Sequence, residues 1–211
     1  TCCATISPRW SRSGPLPDPL ALGFDTSAAH CAAALLRGDR ILGHISEEMT
    51  KGQAERLFPL LEGLLAGAGL TWRDLGVIGV GIGPGNFTGI RIAVAAARGL
   101  ALSLGIPAVG VTATEAASLD LPRPCRIVLP LRADQVAWQD FGQGAGDHPQ
   151  QSAADALPPG PASALPRVPP AVAIARIALA RRADPGPRPA PFYLRPADAA
   201  PARDAAPLIL P

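Results

Sequence analysis

The sequence has 211 residues, 48% hydrophobic and 17% charged, enough apolar material for a sizeable core, so global disorder is excluded. A net charge of +2 gives no argument for a nucleic-acid or membrane-surface partner. Aromatic residues make up only 4%, so the core must be built from small and branched side chains.

Residues 1–19 carry Arg9, Arg12 and four prolines without an apolar stretch, so they do not resemble a secretory signal and are expected to form a disordered leader. Cys2, Cys3, Cys31 and Cys125 contain no C-x-x-C pair, which points to a reduced chain in a cytoplasmic setting. Uninterrupted apolar runs fall short of the roughly 18 residues that span a bilayer, so no membrane is expected.

Leu20–Ser27 reads as a buried strand ending in a polar turn. Cys31–Leu36 and Ile41–Glu47 flank a Gly38-Asp39 hairpin signal, which completes a three-stranded meander. From Gln53 to Ala68 apolar residues recur at helical spacing, with Pro59 predicting a kink or a late start near Arg56. Val77–Ile82 is a β-branched run leading into Gly83-Pro84-Gly85-Asn86-Phe87-Thr88-Gly89. This loop opens a helix from Gly89 to Leu104, with Thr88 favoured over Asn86 as the cap. That helix is apolar nearly all round, so it needs cover on both sides: its own sheet on one, a second lobe or another chain on the other.

Beyond it come a short strand Ala108–Val111, a brief helix ending near Ser118, and possible strands Arg126–Leu131 and Gln135–Phe141. Eighteen of the 25 prolines lie from Pro122 onward, and residues 142–170 read as a loose segment. A modest helix is predicted over Ala171–Arg182, followed by a proline-rich tail with one compact patch, Pro191–Pro196.

The glycine loop admits two readings. A strand, a glycine turn and a helix start can make an anion site, with Asp25, Thr26 and Ser27 as the acidic turn beside Gly83, Gly85 and Gly89. The loop lacks a Gly-Lys-Ser/Thr ending and misses the G-x-G-x-x-G spacing, so a packing corner outweighs a phosphate cradle. His30, His44 and His148 form no ligand pair, and Asp134 and Asp140 read as surface charges. No complete catalytic constellation and no metal site emerge from the residues.

Gly83–Ile92 resembles the GPGSFTGLRIG signature of the bacterial TsaB (YeaZ) family. Leu22–Ser27 is similar to that family's LAIDTS strand, Arg56-Leu57-Phe58-Pro59 to its R-L-L-P helix, and Ala97–Ala101 to its A-K-G-L-A segment. Phe192–Arg195 is similar to its terminal V-Y-L-R. The resemblance runs from about Leu20 to Ala117 and is thin beyond. It implies an α/β, actin/Hsp70-like (ASKHA), ribonuclease-H-like fold: a mixed sheet with flanking helices in residues 20–118, and a short second lobe in residues 119–211. It also implies a non-catalytic subunit in the making of N6-threonylcarbamoyladenosine beside the tRNA anticodon. Such a subunit pairs with a catalytic TsaD-like subunit, a TsaE-like ATPase joins the pair, and tRNA is met only through the complex. A homodimer of the free chain is a further expectation. The pairing helices are here Gln53–Ala68 and Gly89–Leu104, with Leu57, Leu61, Leu64, Ile90, Ala93, Val94, Ala97, Leu100 and Ala101 as expected contacts.

Two departures from the family pattern fit a subunit without chemistry: Gln53 replaces a frequent His, and Pro130-Leu131-Arg132 lacks the Asp of D-A-R. No cofactor is expected, although ATP at the complex is compatible. The alternative is an ATP-binding phosphotransferase of the same fold using Asp25 and the Gly83–Gly89 loop. A metalloprotease lacks any ligand pair. Direct tRNA contact would fall to Arg176, Arg181, Arg182, Arg188 and Arg195, although scattered arginines are usually only solvated.

Overall fold

A computed structural model of the chain describes residues 18–194. Arg195, most of the expected leader and the rest of the tail lie outside the described residues.

Strands β1 (Leu20–Asp25), β2 (His30–Arg37) and β3 (Arg40–Glu48) form the expected antiparallel meander. Strand β4 (Leu75–Gly81) adds parallel to β1, and β5 (Ala108–Val111) parallel to β4, giving the order β3-β2-β1-β4-β5. Helices α1 (Gln53–Gly67) and α2 (Phe87–Leu104) cover one face of this sheet. Helix α4 (Pro170–Arg181) covers the other, beside the short α3 (Ala113–Ala117). This mixed sheet with helices on both faces is the ASKHA, ribonuclease-H-like arrangement.

Strand alternation assigns the two cores. Leu22, Phe24, Cys31, Ala33 and Leu35 point toward α1 and α2, while Ala21, Ala32, Ala34 and Leu36 point toward α4. Glycines bring α4 close: a Cβ on Gly23 would lie 2.5 Å from the Ala171 carbonyl oxygen, and one on Gly79 2.7 Å from that of Ile174. Helix α4 therefore belongs to the core of the first sheet, which corrects the expected division at residues 118 and 119. An element read as a modest helix of the second lobe buries eight of its residues.

Other boundaries also shift. Helix α1 runs from Gln53 straight through Pro59, with the Arg56 N–H donating to the Gly52 carbonyl, so there is no late start. Pro59, the seventh residue of the helix, removes one internal hydrogen bond, and the buried Leu57, Leu60, Leu61, Leu64 and Leu65 hold the helix in place. The cap of α2 is Asn86, not Thr88: its side chain accepts from the Thr88 and Gly89 N–H groups.

A second, antiparallel sheet comprises β6 (Cys125–Pro130), β7 (Gln135–Phe141) and β8 (Gln150–Ala153) in that order. Strand β8 lies inside the stretch expected to be loose. Asp140 is likewise no simple surface charge. It accepts from Arg126 Nε at 2.5 Å and from its terminal nitrogen at 2.8 Å, and Arg126 is only 4% exposed. The same guanidinium donates to the Pro158 carbonyl, and its backbone pairs with Ala162 and Ala164, so it fastens the following loop to the hairpin.

Candidate partner surface and glycine corner

The glycine loop is packed against the turn after β1. A Cβ on Gly89 would lie 1.8 Å from the Thr26 carbonyl oxygen, and one on Gly85 2.2 Å from that of Ser27. The Asn86 N–H donates to the Ser27 carbonyl at 2.6 Å, and the Thr26 hydroxyl donates to the Gly89 carbonyl at 2.7 Å. The expected cluster is thus brought together in Asp25, Thr26, Ser27, Gly85 and Gly89. Gly83, at φ +97°, instead meets Ile90 and the Phe192 carbonyl.

These contacts use the groups an anion would need. At the start of α2 the Thr88, Gly89 and Ile90 N–H groups all bond within the chain, to Asn86. The buried Asp25 carboxylate accepts from the Ser27 N–H, the Ser27 hydroxyl and His30 Nε2, the last at 2.7 Å. That hydrogen bond raises the His30 pKa above its ordinary value, against the opposing effect of burial. At this corner the glycines at 85 and 89 make room for the backbone of the turn after β1.

The outer face of the helix pair differs. Leu57, Leu61, Leu64, Ile90, Ala93, Val94 and Ala97, all expected to meet a partner, are buried against the sheet. Leu100 and Ala101 are partly exposed. The reason is geometric: the bulkiest stripe on each helix is the one the sheet claims.

The neighbouring stripe stays open. Between α1 and α2 lies an apolar groove of about 400 Å³, lined by Ala54, Leu57 and Phe58 on one side and by Ile92, Ala95, Ala96, Gly99 and Leu100 on the other. Phe58 is 41% exposed and tilts against Trp72, and Leu102, farther along α2, is 84% exposed. Helix α2 reaches 18 residues at a mean hydropathy of 1.4, yet only 28% of it is buried within the chain. Length and hydropathy alone would let it cross a bilayer, which the search for uninterrupted apolar runs missed. Arg91, Arg98 and the packing of its inner face on the sheet fit a surface helix instead. The groove residues Ala95 and Gly99, and Ile92 and Ala96, are spaced i, i+4, a second stripe that a helical projection of the sequence contains.

At the start of α2, Arg91 lies 3.7 Å over the Phe87 ring and donates to the Tyr193 hydroxyl at 2.9 Å. The Phe192 N–H donates to the Ile82 carbonyl, so the 191–194 segment is tied beside the corner. Among the described residues, three of the four expected tRNA-contacting arginines are engaged within the chain. Arg176 pairs with Asp120, Arg181 with Glu115, and Arg182 donates to the Leu179 carbonyl; Arg188 is exposed. Cys31 is buried, its thiol pushed up to about 11 chiefly by desolvation, so it is unreactive. Among the described residues no group of three metal-ligating side chains occurs.

Residues 40–123 match a family model described as TsaD, tRNA N6-adenosine threonylcarbamoyltransferase. The chain is 36% identical over 125 residues to the tRNA threonylcarbamoyladenosine biosynthesis protein TsaB of Buchnera aphidicola, covering 57% of this chain and 59% of that protein. A solved structure, YeaZ from Pseudomonas aeruginosa, superposes with a TM-score of 0.63 at 26% identity, covering 77% of this chain and 93% of that one. The chain belongs to the TsaB/YeaZ family. It is also 32% identical over 197 residues to an uncharacterised protein of Mycobacterium tuberculosis, covering 85% of this chain and 93% of that protein. The chain spans about half the length of the curated TsaB relatives it matches, from 39% of the Escherichia coli protein to 59% of the Buchnera one. Within the TsaB/YeaZ family, then, this chain has a filled glycine corner and an open helix-pair groove.

Proposed function

We propose that this chain acts in tRNA N6-threonylcarbamoyladenosine biosynthesis as a non-catalytic scaffold, binding a TsaD-like catalytic subunit through the groove between α1 and α2. The observation that carries this reading is the groove: an apolar surface on a largely unburied helix, which no described residue covers. Of the contacts expected from the sequence, Leu57 and Leu100 line the groove, and Ala54, Phe58, Ile92, Ala95, Ala96 and Gly99 join them there. Small side chains there allow a partner helix to approach closely, and Phe58 is the aromatic anchor. A TsaE-like ATPase and tRNA would join through the complex, and a second copy would take the groove when the catalytic subunit is absent.

The phosphotransferase alternative gains no support from the corner, where backbone contacts occupy the glycine positions and Asp25 is fully engaged. Co-purification tests the scaffold reading. The TsaD-like subunit from the same cells should be retained by the chain, and the isolated chain should show no micromolar affinity for Mg-ATP in calorimetry. Failure to retain that subunit, or tight nucleotide binding by the isolated chain, would count against it.

A further inference from the structure

Helices α1 and α2 differ in the sign of the charge they expose beside the groove. On α1, Glu55 and Glu62 stand at i−3 and i+4 from Phe58, so both carboxylates share the face of that groove-lining ring. On α2, Arg91 and Arg98 stand at i−4 and i+3 from Ala95, which lines the opposite wall. All four charged residues are exposed. Within each pair the helix rise amounts to about 10 Å.

The two signs are kept apart. Helix α2, Phe87–Leu104, contains no acidic side chain. Helix α1 has one cation, Arg56, and Glu47 of β3 holds it through two hydrogen bonds of 2.6 Å. Among the described residues no ion pair joins Glu55 or Glu62 to Arg91 or Arg98. Arg91 is held by the Phe87 ring and the Tyr193 hydroxyl, which fix its position without a counter-charge. A helix face that meets only water commonly interleaves the two signs, so that neighbours at i, i+4 neutralise each other. Here an acidic flank and a basic flank frame one apolar groove.

We infer that the groove is read with a polarity. The TsaD-like subunit presents Lys or Arg side chains to Glu55 and Glu62, and Asp or Glu side chains to Arg91 and Arg98. The inference rests on the groove being the partner surface, and it adds the chemistry of the counter-surface. Apolar walls and small side chains give affinity but accept a partner helix pair either way round. Charges at the rim select one orientation, because a half-turn of the partner would set like charges against each other.

The variant Glu62→Arg/Arg98→Glu exchanges one charge of each sign and keeps the net charge at +2. Calorimetric titration of the TsaD-like subunit should show about tenfold weaker binding to this variant at about 50 mM salt. At about 500 mM salt the loss should shrink to about twofold, because screening shortens the reach of each charge. Both positions are exposed, so thermal melting should be unchanged. Glu62→Gln and Arg98→Gln each remove an attraction without adding a repulsion and should weaken binding about two- to threefold. These single variants decide the matter if the exchanged chain does not fold. Equal affinity of the exchanged and unsubstituted chains at low salt overturns the polarity and leaves the scaffold reading intact. A loss that salt does not reduce also overturns it, since packing would then be the cause. A loss confined to self-association of the chain, with subunit affinity unmoved, overturns it in favour of a second copy. Failure of the unsubstituted chain to bind the subunit overturns the scaffold reading, and this inference with it.

Discussion

Helix α2 carries two glycines ten residues apart, and their surroundings are opposite. Gly89 is buried, with the Thr26 carbonyl oxygen where its side chain would be, while Gly99 is exposed with nothing within 4 Å of that position. The first belongs to a corner whose polar groups are paired within the chain. The second lines a groove with apolar walls and no occupant among the described residues. The comparison shows that glycine serves two ends on one helix. At the corner it brings backbones into contact; in the groove it keeps a surface low enough for something else to lie on it.

That contrast is breakable by substitution. The largest effect is expected from Gly89→Ala, because a methyl group 1.8 Å from a backbone carbonyl forces the β1 turn and α2 apart. Thermal melting should show a loss of several kcal/mol or no cooperative fold at all. Gly99→Ala should gain about 0.5–1 kcal/mol from helix propensity, because the added methyl meets open space.

Next comes the pair Ala97→Asp and Ala95→Asp. Ala97 is buried against the sheet, so a carboxylate there is an unpaired buried charge and should cost about 3–5 kcal/mol in urea unfolding. Ala95 is exposed, and Asp there should change stability by no more than about 0.5 kcal/mol beyond the helix-propensity difference.

The smallest effect concerns His30. Its hydrogen bond to Asp25 raises its pKa in the folded state, so the protonated ring favours folding. That contribution is fully present below the unfolded value of about 6.5 and is lost as pH rises through the higher folded value. Urea midpoints should therefore fall across that window, and His30→Gln should flatten the fall. A slope unchanged by His30→Gln would assign the pH dependence to other groups.

Much of the first unit was legible in the sequence because local signals and long-range packing agree there. The Gly38-Asp39 turn, the apolar runs on either side of it and the glycine loop each specify their own neighbours. The range of β7 was also readable, since Gln135–Phe141 sits between clear turn signals. Helix α4 was legible as a helix but not as a core element. Its docking depends on Gly23 and Gly79, two strand residues about 95 to 150 positions away in sequence, and no local pattern links them. The open stripe of α2 was misassigned for a related reason. Hydrophobicity identifies which residues want cover, whereas the sheet's position decides which of them receive it. Arg126 and Asp140 face each other across β6 and β7, a pairing that becomes visible only once the register is known.

The account turns on the groove, and calorimetric titration of the TsaD-like subunit into the chain and into its Ala95→Asp variant addresses it most directly. The scaffold reading predicts measurable binding by the unsubstituted chain and at least about a tenfold loss in the variant, with both proteins melting as folded chains. Equal affinity for the two would contradict it.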